Sequence, residues 1–397
     1  MVRRLRIVRV LPFWHPRYGG SVTHARRMTQ KLAERGHEIR VVTSNLGFEG
    51  ERPVDRWFEE GPYLVRMVRT WPWQRVPPYG MKAIRRPMLG AMSGADLVLS
   101  NLGLTLLGDY VRSAANKAKV PYVYSAEGAL CPVRLEVKGR RKKLFLPLIE
   151  HRVLGAAEAL HAMNEKERDD YLEQGARENR IFMVPNGIEL AERIHSAERY
   201  EAREALGLTD ERVLLYLGRV TPLKGLDLLI QGMSYALWND LVLLVAGPCD
   251  PGERERILSL ATTCGLMAGD RPRVRFLGLV DDEGRRRAFA ASDVFCLTSR
   301  SEGLPVAPLE AAAAGLPLLV TDACHLQALT DDGGGVTVEP EPSPIRDALT
   351  WMFAERGRAS WMGARARSSV AVHHSLDTVA DRLEAIYLHV VQGSFGQ

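Results

Sequence analysis

The chain has 397 residues, 46% hydrophobic and 25% charged, with five cysteines and a formal net charge of +5. At roughly 100–200 residues per domain that length predicts two or three domains, each with a core large enough to need no disulfide or structural metal. The composition excludes a disordered chain, and the five cysteines form no CxxC pair or zinc pattern, which predicts a reducing cytosolic setting. In chain order, strand-like runs stand at RLRIVRVLP, HEIRVVTSN, ADLVLSN, PYVYSAEG and RIFMVPNG, then at RVLLYLGRV, LVLLVAG, VRFLGLV, SDVFCLTS and LPLLVTD. They are short, continuous and rich in Val, Leu and Ile, the pattern of parallel strands buried on both faces. Amphipathic stretches alternate with them. The first is predicted as a helix capped by Ser21, with Val22, Ala25, Met28 and Leu32 on one face and a stop at Gly36. The alternation predicts an α/β protein with two doubly wound, Rossmann-like domains facing each other across a cleft. The break at Pro185–Asn186–Gly187 places the linker there, ending the first domain at residue 188.

Charge is unevenly distributed. Up to Leu190 there are 32 Lys/Arg and 20 Asp/Glu, a net +12; beyond it there are 21 and 28, a net −7. A basic half implies an anionic partner: nucleic acid, an anionic membrane face or a phosphorylated substrate. Within that half, Arg85–Arg86 follow a segment with Trp57, Trp71, Trp73 and Tyr79, and Arg140–Arg141–Lys142–Lys143 precede apolar Leu144, Leu146, Leu148 and Ile149. Basic residues mixed with aromatic ones suit a membrane surface or a lipid-linked acceptor. No nucleic-acid-binding motif accompanies them, so nucleic acid is not expected as a partner. The longest apolar stretch, near Leu97–Gly108, is too short to span a bilayer.

Three motifs carry chemistry. Glu302 and Glu310, in EGLPVAPLE, follow the strand SDVFCLTS. Glu302 is placed on the loop at the strand's carboxyl end and Glu310 in the first turn of the next helix, where carboxylates accept hydrogen bonds from vicinal hydroxyls of a sugar or ribose. A glutamate in a first turn also complements the helix dipole, which is a sufficient structural reason for Glu310 alone. The second motif, GRVTPLKG, sets Gly218, Arg219 and Lys224 between a buried strand and a helix. Cations have the wrong sign for a helix N-terminus, so a bound diphosphate explains them better than local stability does. The third is Gly19–Gly20, a turn that lets backbone approach a phosphate or simply turns tightly. The dinucleotide fingerprint G-x-G-x-x-G, the phosphate loop GxxxxGK[ST] and the D-x-D metal motif are all missing.

At these residues the chain resembles the retaining GT-B glycosyltransferases of family 4. The resemblance spans nearly the whole length: the Gly-Gly turn with LAERGHEIRVVT, VPNGI, GRVTPLKG, the AGP strand end, EGLPVAPLEAAAAGLPLLVTD, and a last helix, SLDTVADRLEAIY, whose return implies a first domain of residues 1–188 with 375–397 and a second of 189–374. It implies transfer of a sugar, with retention, from a nucleoside-diphosphate sugar to a glycan or lipid-linked acceptor. No metal and no cofactor beyond that donor are implied, and the setting is cytoplasmic or peripheral on the inner membrane face. Arg219 and Lys224 would hold the diphosphate, Glu302 the sugar hydroxyls and Glu310 the ribose. Backbone at Gly218, Gly247, Leu279, Gly303, Leu304 and Val306 would line the donor, and Gly20 would approach a phosphate. The chain departs from the family pattern at Glu127, where many relatives have His, at Pro305, where many have Gly, and after Asp322, where Gly-Gly is missing. Glu127 would stabilise oxocarbenium charge, bind a hydroxyl, or serve structure only. A sugar-nucleotide epimerase or hydrolase on the same fold and a non-catalytic donor-binding relative are the alternatives.

Overall fold

A computed structural model describes residues 3–48, 50–70, 82–101, 103–132, 135, 146–190, 192–236, 240–269, 271–355 and 357–393. Its chain divides into two compact units, Met1–Gly187 with Leu376–Gln397, and Ile188–Ser375. Trp71, Trp73, Tyr79, the Arg140–Lys143 cluster and Leu144 lie outside the described residues.

The first unit is built on strands β1 (Arg6–Val10), β2 (Glu38–Ser44), β3 (Trp57–Glu60), β4 (Tyr63–Val68), β5 (Leu97–Asn101), β6 (Tyr122–Ser125), β7 (Ala159–Ala162) and β8 (Ile181–Met183). Their order in the sheet is β3-β4-β2-β1-β5-β6-β7-β8, parallel throughout except for the antiparallel edge pair β3–β4. Helices α1 (Gly20–Glu34), α2 (Arg85–Met92), α3 (Leu106–Ala118), α4 (His151–Ala156) and α5 (Glu165–Glu173) connect them. Side chains alternate across β1. Ile7 and Leu11 enter one core with Met28 and Leu32 of α1, while Val8 and Val10 enter the other with Met88, Val98 and Val111. Each fully buried side chain of this size contributes about 1.5–3 kcal/mol.

The C-terminal helix Leu376–Val391 packs its Val379, Ala380, Leu383, Tyr387 and Val390 into the α1 core. Arg35 at the end of α1 reaches Asp377 (3.0 Å), Asp381 (2.6 Å) and Glu384 (2.9 Å) of that helix. His37 Nδ1 accepts from the Leu5 amide at 3.1 Å, so Nε2 carries the proton and donates to Glu384 Oε1 at 3.0 Å.

The second unit contains β9 (Arg212–Leu217), β10 (Leu241–Ala246), β11 (Val274–Gly278), β12 (Val294–Leu297), β13 (Leu318–Thr321) and β14 (Gly335–Val338). Their order is β11-β10-β9-β12-β13-β14, with all neighbours parallel. Its helices are α6 (Ser196–Ala205), α7 (Leu226–Ser234), α8 (Glu253–Thr263), α9 (Asp282–Ala291), α10 (Val306–Ala313), α11 (Pro342–Ala354) and α12 (Arg358–His373). In sequence order this is the doubly wound 3-2-1-4-5-6 arrangement, whose ligand crevice lies outside the carboxyl ends of the strands where the order reverses. Here those strands are β9 and β12; in the first unit they are β1 and β5. Both units are Rossmann-like. Among the described residues no helix is long and apolar enough to cross a membrane.

Two expectations are corrected. Ser21 does not cap α1. Gly19, at φ 108°, is the N-cap, and the short 3-10 turn Pro16–Tyr18 runs directly into it, leaving Ser21 as the second helical residue. Strands β3, β4, β7 and β14 escape the strand pattern. β3 and β4 form an antiparallel edge pair in which β3 is short and half acidic and an arginine interrupts β4, β7 is half alanine, and β14 emerges from a glycine run.

Candidate functional site

In the second unit the segments leaving β9, β10 and β12 are stitched together by backbone contacts that only glycine permits. A Cβ on Gly247 (φ 133°) would sit 2.1 Å from Gly218 O, and one on Gly225 (φ 64°) would sit 1.9 Å from Thr298 O. Around these points Val220 N donates to Pro248 O at 2.8 Å, Thr298 Oγ1 to Gly225 O at 2.7 Å, and Arg300 N to Leu223 O at 2.7 Å. The Arg300 guanidinium forks onto Asp227, at 2.9 and 2.8 Å, in the first turn of α7. Burial opposes ionisation of Asp227, but the bonds and charge of Arg300, with Arg256, outweigh it and hold the carboxyl below its ordinary range. The loops after β9 and β12 thus form one braced surface.

On that surface Lys224 Nζ donates to Glu302 Oε1 at 2.5 Å, and Ser299 Oγ donates to the same oxygen at 2.6 Å. Glu302 is 5% exposed and Lys224 27% exposed, so the carboxylate is held inside while the ammonium reaches solvent. Burial, with the Glu302 charge nearby, pushes the Cys324 thiol up to about 12, which leaves it unreactive. Arg219 leans on Asp250 at 3.4 Å with nearly half its side chain exposed. Its carbonyl accepts from the Tyr216 hydroxyl at 3.0 Å. Gly303 and buried Leu304 continue the loop to Pro305, the N-cap of α10, whose first residue is buried Val306.

Glu310 is the fifth residue of α10, not part of its first turn, because the extended loop runs on to Pro305. Its placement is therefore not explained by the helix dipole, which fades within one turn. It pairs with Arg285 of α9 at 3.2 Å. The structure therefore brings Lys224 and Glu302 together, whereas Glu310 contacts Arg285. Leu279, just past β11, projects its side chain into solvent, 79% exposed. Asp227, Asp250, Arg285, Ser299 and Arg300 were not anticipated from the sequence; all but Ser299, whose partner Glu302 is three residues on, matter through a partner far along the chain.

In the first unit Gly20 opens α1 beyond β1. Glu127, two residues past β6, takes a left-handed φ of 54°, uncommon for a side chain of its size. Its Oε1 accepts from Asn101 Nδ2 at 2.8 Å.

Two Rossmann-like units, with the Lys224–Glu302 pair outside the carboxyl ends of the strands in the second, define a two-domain, doubly wound α/β protein. The sequence model of glycosyl transferases group 1 matches residues 198–369, and that of the glycosyl transferase 4-like domain matches residues 19–187. A D-inositol 3-phosphate glycosyltransferase of Xylanimonas cellulosilytica is 32% identical over 379 residues, covering 88% of this chain and 87% of that protein. Among solved structures, a sucrose-phosphate synthase from Thermosynechococcus elongatus has a TM-score of 0.80 at 20% identity, over 98% of this chain and 100% of that one. HepE of Anabaena, in complex with UDP, has a TM-score of 0.78 at 17% identity, over 96% and 99%. At those identities the structural likeness is one of fold. The chain belongs to the group 1 glycosyl transferases, and it is a glycosyltransferase of the GT-B fold.

Proposed function

We propose that the protein transfers a sugar from a nucleoside-diphosphate sugar to an acceptor hydroxyl with retention of anomeric configuration. The observation that carries this reading is the Lys224–Glu302 pair outside the carboxyl ends of β9 and β12. A diphosphate there meets Lys224 and Arg219. As the bond between the anomeric carbon and the diphosphate oxygen breaks, the negative charge on the leaving group grows beside two cations. The acceptor oxygen bonds to the same carbon, and its proton passes to the departing diphosphate. Glu302 then faces the sugar hydroxyls and Glu310 the ribose. Backbone at Gly218, Gly247, Leu279, Gly303, Leu304 and Val306 lies along the donor, while Gly20 approaches a phosphate and Glu127 the transferred sugar. The UDP named in the HepE complex supports a nucleotide donor, and the cations at the switch point replace a metal in this scheme.

The acceptor is a glycan, a lipid-linked glycan or a polyol phosphate. The last is supported by the name of the Xylanimonas relative and by the +12 charge up to Leu190. The same charge supports peripheral attachment of the first unit to anionic lipid. A thermal-shift screen against UDP-, GDP- and ADP-sugars tests the donor, and transfer to D-inositol 3-phosphate or to lipid-linked saccharides tests the acceptor. Free nucleotide and free sugar with no glycosylated product across that panel would favour hydrolysis instead.

A further inference from the structure

One charged side chain in the first unit has no role in the scheme above. Arg9 occupies the middle of β1 on the face shared by Ile7 and Leu11, and only 4% of it is exposed. A guanidinium in such a place is costly unless it is paired. Its Nη1 donates to Asn101 Oδ1 at 3.4 Å, and its Nε is buried and makes no hydrogen bond among the described residues. Burial lowers the guanidinium from its ordinary value, and Tyr387 of the C-terminal helix, Glu127 and Tyr63 of β4 oppose that; His24 of α1 and His161 of β7 also feel its charge. The two histidines are held neutral, by burial first and by the Arg9 charge as well, His24 at about 3 and His161 at about 4. Burial likewise raises the phenols of Tyr63 and Tyr387. Glu127 is the carboxylate in this set.

Asn101 joins the two. Its carbonyl oxygen faces the cation and its amide donates to the anion, so its orientation is dictated by the charges on either side. On the far flank, Glu167 of α5 accepts from Gly128 N at 2.7 Å and Met163 N at 2.8 Å. Burial first, then the Glu127 charge, pushes Glu167 up to about 7. Tyr171 of α5 feels the same two carboxylates. Of the neighbouring pair, Glu127 is the one with a cation behind it. Its left-handed backbone is a conformation that persists only where surrounding structure over-determines it.

We propose that Arg9 and Asn101 are positioning residues that hold the Glu127 carboxylate in one orientation just past β6, beside the switch-point strand β5, to meet positive charge developing on the transferred sugar. This rests on the glycosyl-transfer reading of Glu127 given above. Arg9 supplies the compensating charge from within the sheet, and Asn101 transmits it as direction.

The first test needs no ligand. In the full chain labelled with [δ-13C]glutamate, the Glu127 carboxyl signal is assigned by its loss in Glu127→Gln and followed through a pH titration. It should titrate at higher pH in Arg9→Met and in Asn101→Leu than in the wild type, and Arg9→Lys should restore part of the difference. Nucleotide release is then measured with UDP-glucose, GDP-mannose and ADP-glucose as donors and D-inositol 3-phosphate as acceptor. Arg9→Met and Asn101→Leu should lower kcat on the order of tenfold or more, with donor KM within a few-fold, and Glu127→Gln should lower it at least as far. If Arg9→Met does not fold, Asn101→Leu, which leaves the buried guanidinium in place, carries both measurements. An unmoved Glu127 titration in folded variants overturns the proposal. Wild-type turnover in Arg9→Met and Asn101→Leu beside a damaged Glu127→Gln overturns the positioning alone. Wild-type turnover in Glu127→Gln overturns the reading beneath it.

Discussion

Lys224 and Glu302, separated by 77 intervening residues, meet at 2.5 Å because β9 and β12 are neighbours in the sheet and each sends its loop off the same edge. The pair has two consequences. The carboxylate is satisfied by Lys224 and Ser299 without any ligand, and the ammonium keeps donors for an incoming anion.

Removing either cation should cripple transfer. Arg219→Ala and Lys224→Ala are each expected to lower kcat/KM on the order of 10²-fold, the scale of losing an oxyanion donor. Lys224→Ala also leaves Glu302 without its cation, so its melting temperature should fall further than that of Arg219→Ala, whose partner Asp250 is exposed. Steady-state kinetics and thermal melts check both. Activity within a few-fold of wild type in both variants would remove the diphosphate assignment.

The two glutamates should separate by calorimetry. Glu310→Ala is expected to weaken binding of the free nucleoside diphosphate, while Glu302→Ala spares it and damages transfer. Arg285→Ala, which frees Glu310 from its ion pair, should change nucleotide affinity without abolishing binding. The reverse order for the glutamates would mean that their roles are exchanged.

Transfer should survive chelation. The chain has no D-x-D motif, and in the proposed scheme the charge of the leaving diphosphate falls to Arg219 and Lys224. Product formation in excess EDTA should match that in Mg²⁺. Loss of transfer in chelator that Mg²⁺ or Mn²⁺ restores would contradict this.

The clasp between α1 and the C-terminal helix should be measurable as stability. Glu384 is 8% exposed and accepts from both Arg35 and His37. Glu384→Ala leaves these donors partly unsatisfied and should cost about 1–3 kcal/mol. Asp381→Ala, whose carboxylate is largely exposed, should cost less than about 1 kcal/mol. Denaturant unfolding of the two variants gives the comparison.

Acid sensitivity of the first unit follows from two partly buried histidines. His24 is lowered to about 3 and His161 to about 4 from an ordinary 6.5, in both cases chiefly by burial. The unfolded chain therefore binds more protons between pH 6.5 and 4, so the stability these groups contribute is complete above 6.5 and is lost as pH falls through that window. Glu150 and Glu167, raised to about 7 by burial, act in the opposite sense, favouring the folded state as pH falls from 7 towards 4.5. His161 Nε2 donates to Val184 O at 2.7 Å, a bond that a glutamine amide can replace. His161→Gln should therefore lose less melting temperature than wild type between pH 6.5 and 4.

Much of the architecture is local information. Val213–Tyr216, Leu241–Ala246, Val294–Leu297 and Leu318–Val320 are continuous apolar runs because both faces of a parallel sheet are covered, and a window of five residues is enough to see them. Gly225 and Gly247 stand where backbone passes backbone too closely for a Cβ, so the chain itself marks those crossings. The family, the fold and the charged residues at the strand ends are accordingly legible in the amino-acid sequence. The polar edge strand β3 and alanine-rich β7 are not, since their pairing comes from neighbours rather than from their own composition.

What the tertiary structure alone decided is which charge meets which. Glu302 faces Lys224, Glu310 faces Arg285, and Arg9 reaches Glu127 through Asn101 across intervals of 92 and 26 residues. Parallel pairing requires a crossover between neighbouring strands, so residues that converge at one sheet edge are separated by whole helices in the chain. Periodicity and motif spacing describe each strand end by itself. Sheet order sets the distances between them, and with those distances the electrostatics of the site.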